Sequence, residues 1–424
     1  MLGTRLRHYA VNTQPLQNAD FRRLFVGQGI AFIGFQVTAV AVPVQMYAIT
    51  HSSLWVGLLG VAALVPLVAF GLYGGAIADA VDRRRLYITA SCMLWAVTGA
   101  LLAQALLHVH SGWLLLALMG AQSTAFAVSS PVRGAIVPRL LEESLVPAGN
   151  TLNFTMSNVG TIAGPLLAGA LLASSLGYAA AYAADALLFT FGMYAAVRLP
   201  PLPPLGPRQR AGVGAVAEGL RFIATRPVLA LSFAFDIIAN AFAMPRALFP
   251  QVAAERFGGP SAAGWLYASI AIGAVVGGLA SGWISRVRRQ GLALVSAVVA
   301  WGALVAAAGL ASSLWLAVAL LAGAGAADLV SAVYRQTILQ VYAPDRMRGR
   351  LQGVFIVVVA GGPRLGDLRA GAAAAAVGVT ASWVGGGIAC VILVLLLAAA
   401  APALVRYQPG RRAREDEDRA TLGR

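Results

Sequence analysis

Residues 24–49 read LFVGQGIAFIGFQVTAVAVPVQMYAI, a stretch without a single charged side chain. As a helix rising 1.5 Å per residue it would be about 39 Å long, more than the roughly 30 Å thickness of a bilayer's hydrocarbon core. Asp20-Phe-Arg-Arg23 precedes it and no small-residue cleavage pattern follows. It therefore reads as a first spanning helix rather than a removable leader.

The pattern repeats along the chain. Of 424 residues, 59% are hydrophobic and 11% charged, whereas soluble domains are about a quarter charged. Further apolar runs lie near 54–78, 86–107, 113–137, 151–175, 178–197, 228–253, 262–284, 291–310, 314–341, 351–376 and 380–404. The sequence thus predicts an all-α membrane protein of twelve transmembrane helices. Gly361-Gly362-Pro363 interrupts the eleventh run and makes it the weakest helix.

Charge placement orients the spans, because short cytoplasmic loops retain basic residues. All 31 basic residues are arginine. With the N terminus inside, 25 of them fall in the cytoplasmic loops and tails, five within spans, and only Arg256 outside. Both termini are then cytoplasmic. The formal charge of +15 does not describe a nucleic-acid binder, since the arginines sit in short segments between apolar runs.

The longest polar break, Arg198 to Pro227, opens with Pro200-Pro201-Leu202-Pro203-Pro204 and reads as an extended cytoplasmic linker. It separates an N-terminal six-helix bundle, 1–197, from a C-terminal one, 228–405. Residues 406–424, with arginines beside Glu415-Asp416-Glu417-Asp418, read as a disordered cytoplasmic tail. The halves echo each other: Arg133-Gly-Ala-Ile after the fourth span matches Arg335-Gln-Thr-Ile after the tenth, and Gly75-x-x-x-Asp79 matches Gly282-x-x-x-Arg286. Such echoes predict two pseudo-symmetric bundles able to rock about a central cavity.

Gly75-Ala-Ile-Ala-Asp79-Ala-Val-Asp82-Arg83-Arg84-Arg85 resembles the loop signature of the major facilitator superfamily, with Ala80 and Asp82 departing from it. The resemblance implies a gating motif of Gly75, Asp79, Arg83 and Arg84, in which Asp79 caps a helix and pairs with arginine. In the fifth span, Gly160-x-x-x-Gly164-Pro165 with Gly169 is similar to the helix motif of exporter branches. Its small residues make a groove for a neighbouring helix, and Pro165 permits a bend.

Closer resemblance is to the enterobactin exporter group of that superfamily, carried by Ala41-Val-Pro43-Val-Gln45, Leu248-Phe-Pro250-Gln-Val, Ala263-Gly-Trp-Leu-Tyr267 and Gly349-Arg-Leu-Gln-Gly353. It implies proton-driven efflux of siderophores or drug-like compounds from the bacterial inner membrane by a monomer. An importer of a small metabolite is the alternative, and a membrane sensor a weaker one. No nucleotide loop, metal-ligand spacing or catalytic motif stands in the sequence, so neither enzymatic activity nor a cofactor or metal is expected, and no nucleic-acid partner.

Ionisable residues inside a bilayer are costly and mark pathways. Asp236 has no arginine within one turn and is the first candidate for proton coupling, with Asp185 second and Asp328 also eligible. Candidates for the substrate cavity are Gln28, Phe32, Gln36 and Phe235, with Arg335, Arg364, Asp367 and Arg369. Arg364 and Asp367, three apart, can pair directly. Asp328 and Arg335 share a face but lie about 10 Å apart along the axis, too far for a tight bridge.

Overall fold

A computed structural model describes residues 12–80, 82–203, 213–342, 348–405 and 407. Among them there are no strands. The helices are α1 (Ala19–Thr50), α2 (Ser53–Ala80), α3 (Arg83–Leu106), α4 (Gly112–Leu140), α5 (Val146–Leu172), α6 (Gly177–Val197), α7 (Val213–Ala224), α8 (Pro227–Ala243), α9 (Phe249–Arg256), α10 (Pro260–Leu279), α11 (Gln290–Gly309), α12 (Leu314–Tyr342), α13 (Arg348–Val377), α14 (Val379–Ala400) and the short α15 (Pro402–Val405). Among the described residues, eleven segments, α8 and α9 together counting as one, are long and apolar enough to cross a membrane. Of the expected disordered tail, 406–424, only Tyr407 is among the described residues, and it is ordered there: it is buried, its carbonyl accepts the Gly291 N–H at 3.3 Å and its N–H donates to the Leu404 carbonyl at 2.9 Å.

Helix ends are set by local chemistry. Asn18 accepts the Asp20 and Phe21 N–H groups at 3.0 Å and donates to the Leu140 carbonyl at 2.8 Å, tying the start of α1 to the end of α4. Asp82 caps α3 by accepting the Arg85 N–H at 3.0 Å. Asp82, the residue that departs from the loop signature, thus supplies the cap of α3. Asp79 instead lies in the last turn of α2, and its side chain, like that of Gly75, is outside the described residues.

Two departures from the sequence reading have proline or glycine as their cause. The seventh run is not one helix: α8 stops at Ala243, Met244 is extended, and a 3-10 turn at Arg246–Leu248 precedes α9. Pro245 has no N–H to give and forces the residue before it out of helical geometry. The eleventh run, by contrast, is an unbroken helix through Gly361-Gly362-Pro363. Its glycines permit close approach: a Cβ on Gly362 would meet Asn240 Cβ at 3.0 Å, and one on Gly366 would run into the Asn240 carbonyl. The linker is also more structured than its prolines suggest, since α7 occupies its second half.

Packing divides the described chain into two units, one within Met1–Gly212 plus Phe249–Ala268, the other within Val213–Leu248 plus Ser269–Arg424. In unit 1, α1 packs on α5 and α6, α3 on α4 and α6, and α2 on α4. In unit 2, α8 packs on α13 and α14, and α11 on α12 and α14.

The small-residue motif of α5 seats two neighbours in unit 1. A Cβ on Gly160 would strike the Phe32 ring, one on Gly164 would overlap Gln36 of α1, and one on Gly169 would meet the Ser261 carbonyl at 3.0 Å. Across the same seam, a Cβ on Gly264 would come within 2.5 Å of the Pro165 carbonyl. Gly264→Leu is accordingly expected to destabilise by about 1–3 kcal/mol through overpacking. Gly385→Ala, with nothing within 4 Å of the added atom, should leave the thermal midpoint of the purified protein unchanged.

Candidate functional site

Within unit 1, α1, α4 and α5 enclose a cavity of about 280 Å³. Phe25, Gln28 and Phe32 come from α1, Arg133 and Val137 from α4, and Asn150, Asn153 and Ser157 from α5. A smaller recess continues from it between α1, α3, α4 and α6, lined by Phe35, Tyr87, Ser91, Leu94, Phe126 and Phe189. Phe35 stacks on Phe32 at 6.3 Å and on Phe126 at 5.4 Å, and the Arg133 guanidinium lies 5.4 Å from the Phe126 ring centre. Among the described residues, no acid pairs with Arg133. Gln28 donates to the Tyr87 hydroxyl at 3.3 Å. This arrangement offers aromatic faces, amide and hydroxyl groups, and one positive charge held by a ring rather than by a carboxylate.

Beyond the recess the interior of unit 1 remains polar. Asp185, 1% exposed, accepts Thr38 Oγ1 at 2.5 Å and Thr98 Oγ1 at 3.2 Å, both on Oδ2. Further along the same three helices, Tyr182 donates to Gln45 Oε1 at 2.6 Å, and the side-chain amides of Gln45 and Gln104 pair at 3.0 and 3.1 Å. At the end of α1, Tyr47 donates to Glu255 at 2.7 Å and Ser53 to Gln251 at 2.6 Å.

Unit 2 concentrates charge instead. Asp236, which lacks an arginine on its own helix, is hydrogen-bonded to Arg335 of α12, and Asn240 donates to it at 2.9 Å. Arg335 also reaches Asp328 at 3.6 Å, closer than their separation along α12 suggests, because the long side chain spans the two turns. Asp367 accepts the Ala247 N–H at 3.2 Å and lies within electrostatic reach of Arg246 and Arg364. Arg369 donates from Nε to the Ala241 carbonyl at 2.9 Å and from Nη2 to the Phe242 carbonyl at 2.5 Å, satisfying the carbonyls freed where α8 ends. Its Nη1 reaches the Ser382 carbonyl at 3.4 Å.

Of the residues singled out from sequence, Gln28 and Phe32 come together in the unit 1 cavity, whereas Gln36 backs the α5 groove. Phe235 is 1% exposed in the core of unit 2, the unit that also holds Arg335, Arg364, Asp367 and Arg369. Arg84 donates to the Val197 carbonyl at 2.8 Å and the Arg83 N–H to the Leu202 carbonyl at 3.1 Å, so this arginine cluster fastens the segment leaving α6. In the sequence, Arg133 stands out only through the repeat that follows the fourth span, and Asn150, Asn153 and Ser157 do not stand out at all. Their spacing of three and four puts them on one face of α5, but Thr151, Thr155, Asn158 and Thr161 make the same half of the helix polar on other faces too, which hides the signal.

Apolar helices around a polar, partly charged interior define a polytopic membrane transporter. The solved nucleoside transporter NupG has the same fold, with a TM-score of 0.73 at 14% identity over 92% of this chain and 100% of that one. So does a bacterial homologue of the human lysosomal transporter Spinster, inward-facing and unoccupied, with a TM-score of 0.66 at 17% identity over 94% and 100%.

The chain belongs to the transmembrane secretion effector family of the major facilitator superfamily, whose profile matches residues 10–414. It is similar to the enterobactin exporter EntS of Citrobacter koseri, 29% identical over 381 residues, which are 88% of this chain and 89% of that protein. Against EntS of Escherichia coli O139:H28 the identity is 28% over 397 residues, 92% and 93% of the two chains. The family resemblance read from the motifs is borne out, and the protein is a multi-pass protein of the bacterial inner membrane.

Proposed function

We propose that the protein exports small organic molecules that combine an aromatic ring with a negative charge, siderophores or drug-like compounds among them, and that protons drive the export. The observation carrying this reading is Arg133, a cation with no acid partner among the described residues, set against Phe126 in an aromatic cavity. A guanidinium so placed attracts an anionic group while the rings stack on the aromatic body. That the relatives are enterobactin exporters supports the siderophore class.

Transport proceeds by alternating access of two six-helix halves, twelve spans in all, with both termini cytoplasmic. The charged α13, eleventh in chain order, completes the twelve, its Arg364, Asp367 and Arg369 turned toward partners within unit 2. With this orientation the cavity residues lie in the first halves of α1 and α5 and the second half of α4, on the cytoplasmic side of unit 1. That is where an exporter collects its cargo.

Everted membrane vesicles energised by a proton gradient are expected to accumulate enterobactin, and a protonophore to stop it. Vesicles that accumulate none would refute the reading, and uptake only by right-side-out vesicles would establish an importer. The half-buried bridge between Asp20 and Arg23 at the start of α1, at 3.0 Å, carries no part of this. Asp20→Asn is expected to transport as wild type, exposed pairs contributing about 0–1 kcal/mol at most.

A further inference from the structure

Two acids are buried among the described residues, and their surroundings differ. Asp236 has the Arg335 guanidinium against it. Asp185 has only neutral partners: Thr38 from α1 and Thr98 from α3, both on Oδ2, while Oδ1 has no hydrogen-bond partner. An ionised carboxylate held in such a place, with one oxygen bare and no counter-charge, is costly, and taking up a proton removes the charge.

The charged and titratable groups around it are few. Gly34 of α1 is packed against the carboxylate, and α5 contributes no titratable side chain. The basic residues of α1 and α3 stand at the helix starts, and Arg133 of α4 lines the recess itself, two turns along α4 from Phe126. Arg23 is 15 residues from Thr38 and Arg85 is 13 from Thr98, about 20 Å along each axis. On α6 itself Tyr182 is one turn away, its hydroxyl donated to Gln45.

Position along the helices places the carboxylate one turn beyond the recess. The recess described above ends at Phe35 on α1, Leu94 on α3 and Phe189 on α6. Thr38, Thr98 and Asp185 each follow by three or four residues, about one turn or 6 Å further in. Because α6 runs opposite to α1 and α3, only a shared level in the bundle makes all three offsets agree. The Gln45, Gln104 and Tyr182 layer lies one to two turns beyond in the same direction.

We infer that Asp185 is the group that carries the driving proton, receiving it on the carboxylate from the cavity and releasing it toward the opposite face after the conformational change. No other bond is made or broken. The inference rests on the proton-coupled reading above.

The test uses the full chain in proteoliposomes loaded with a pH-sensitive dye, with an enterobactin gradient as the driving force. Wild type and Asp20→Asn should move protons against the enterobactin flux, and Asp185→Asn should reduce that proton flux at least tenfold. Wild-type enterobactin transport without proton movement, or with sodium movement in its place, overturns the coupled reading and this assignment with it. Proton flux retained in Asp185→Asn overturns the assignment alone. To separate loss of the proton site from misfolding, the carboxylic C=O infrared band of a buried acid, the component that grows on acidification in wild type and is resolved as a difference against the variant, is followed in the same membranes. It should be missing in Asp185→Asn at an unchanged thermal midpoint and present in Asp20→Asn. The same band in Asp185→Asn overturns the assignment.

Discussion

Arg133→Gln is expected to bind enterobactin about ten- to a hundredfold more weakly than wild type. Arg133 is the guanidinium lining the unit 1 cavity, and hydrogen bonds to a charged group contribute about 1.5–3 kcal/mol, with 1.4 kcal/mol per decade of affinity. Arg133→Lys keeps the charge but loses the planar donors that match an anionic oxygen pair and the flat face that rests on Phe126, so it should fall between the two. A neutral aromatic probe separates charge from stacking: its affinity should be nearly the same in Arg133→Gln as in wild type. Because Arg133 lines an open cavity and forms no ion pair among the described residues, the stability of both variants should change by no more than about 0.5 kcal/mol. Titration of purified protein in lipid discs measures all of this. Equal enterobactin affinity in Arg133→Gln and wild type would move the binding site elsewhere.

Arg335→Met is expected to be the most damaging single change to the fold. Arg335 is 6% exposed and its partner Asp236 2%. Removing the guanidinium leaves Asp236 with Asn240 as its remaining side-chain partner, and breaking a buried pair from one side costs about 3–5 kcal/mol. Asp328 suffers less, since its side chain is 45% exposed. Replacing the pair together, Arg335→Met with Asp236→Leu, removes the stranded charge and should recover most of the loss. Denaturant unfolding of the three proteins decides the matter. If the double variant is no more stable than Arg335→Met, the pair does not act as a unit.

Asp236 also shows how far sequence reasoning about a site reaches. Looking along α8, no arginine lies within one turn, and the residue reads as an isolated acid. The partner comes from α12, 99 residues later. The same local criterion does not tell Asp185 from Asp236, since neither has an arginine within one turn, whereas the packed bundle leaves Asp185 the one of these two buried acids without a cation. The cavity was half legible. Gln28 and Phe32 stand out in an apolar helix, but Arg133 gains meaning only when α4 sets it over Phe126 beside the amides of α5. Arg369 errs in the opposite direction: a charge in a spanning segment suggests a ligand, yet its donors go to the carbonyls of Ala241 and Phe242, freed because Pro245 ends α8.

Composition and periodicity by themselves determined that this chain is helical and membrane-spanning, because a backbone in hydrocarbon must satisfy its own hydrogen bonds and only long apolar helices do so here. The same letters determined the family, through short motifs whose glycines and prolines have local steric meaning. Tertiary structure decided everything that depends on which helices are neighbours: the cap supplied by Asp82, the seam between Gly169 and Gly264, the pairing of Asp236 and the solitude of Asp185. The reason is distance. A side chain's own helix fixes what lies within one turn, about 6 Å, while the charges and hydroxyls that set its chemistry arrive from helices tens to hundreds of residues away.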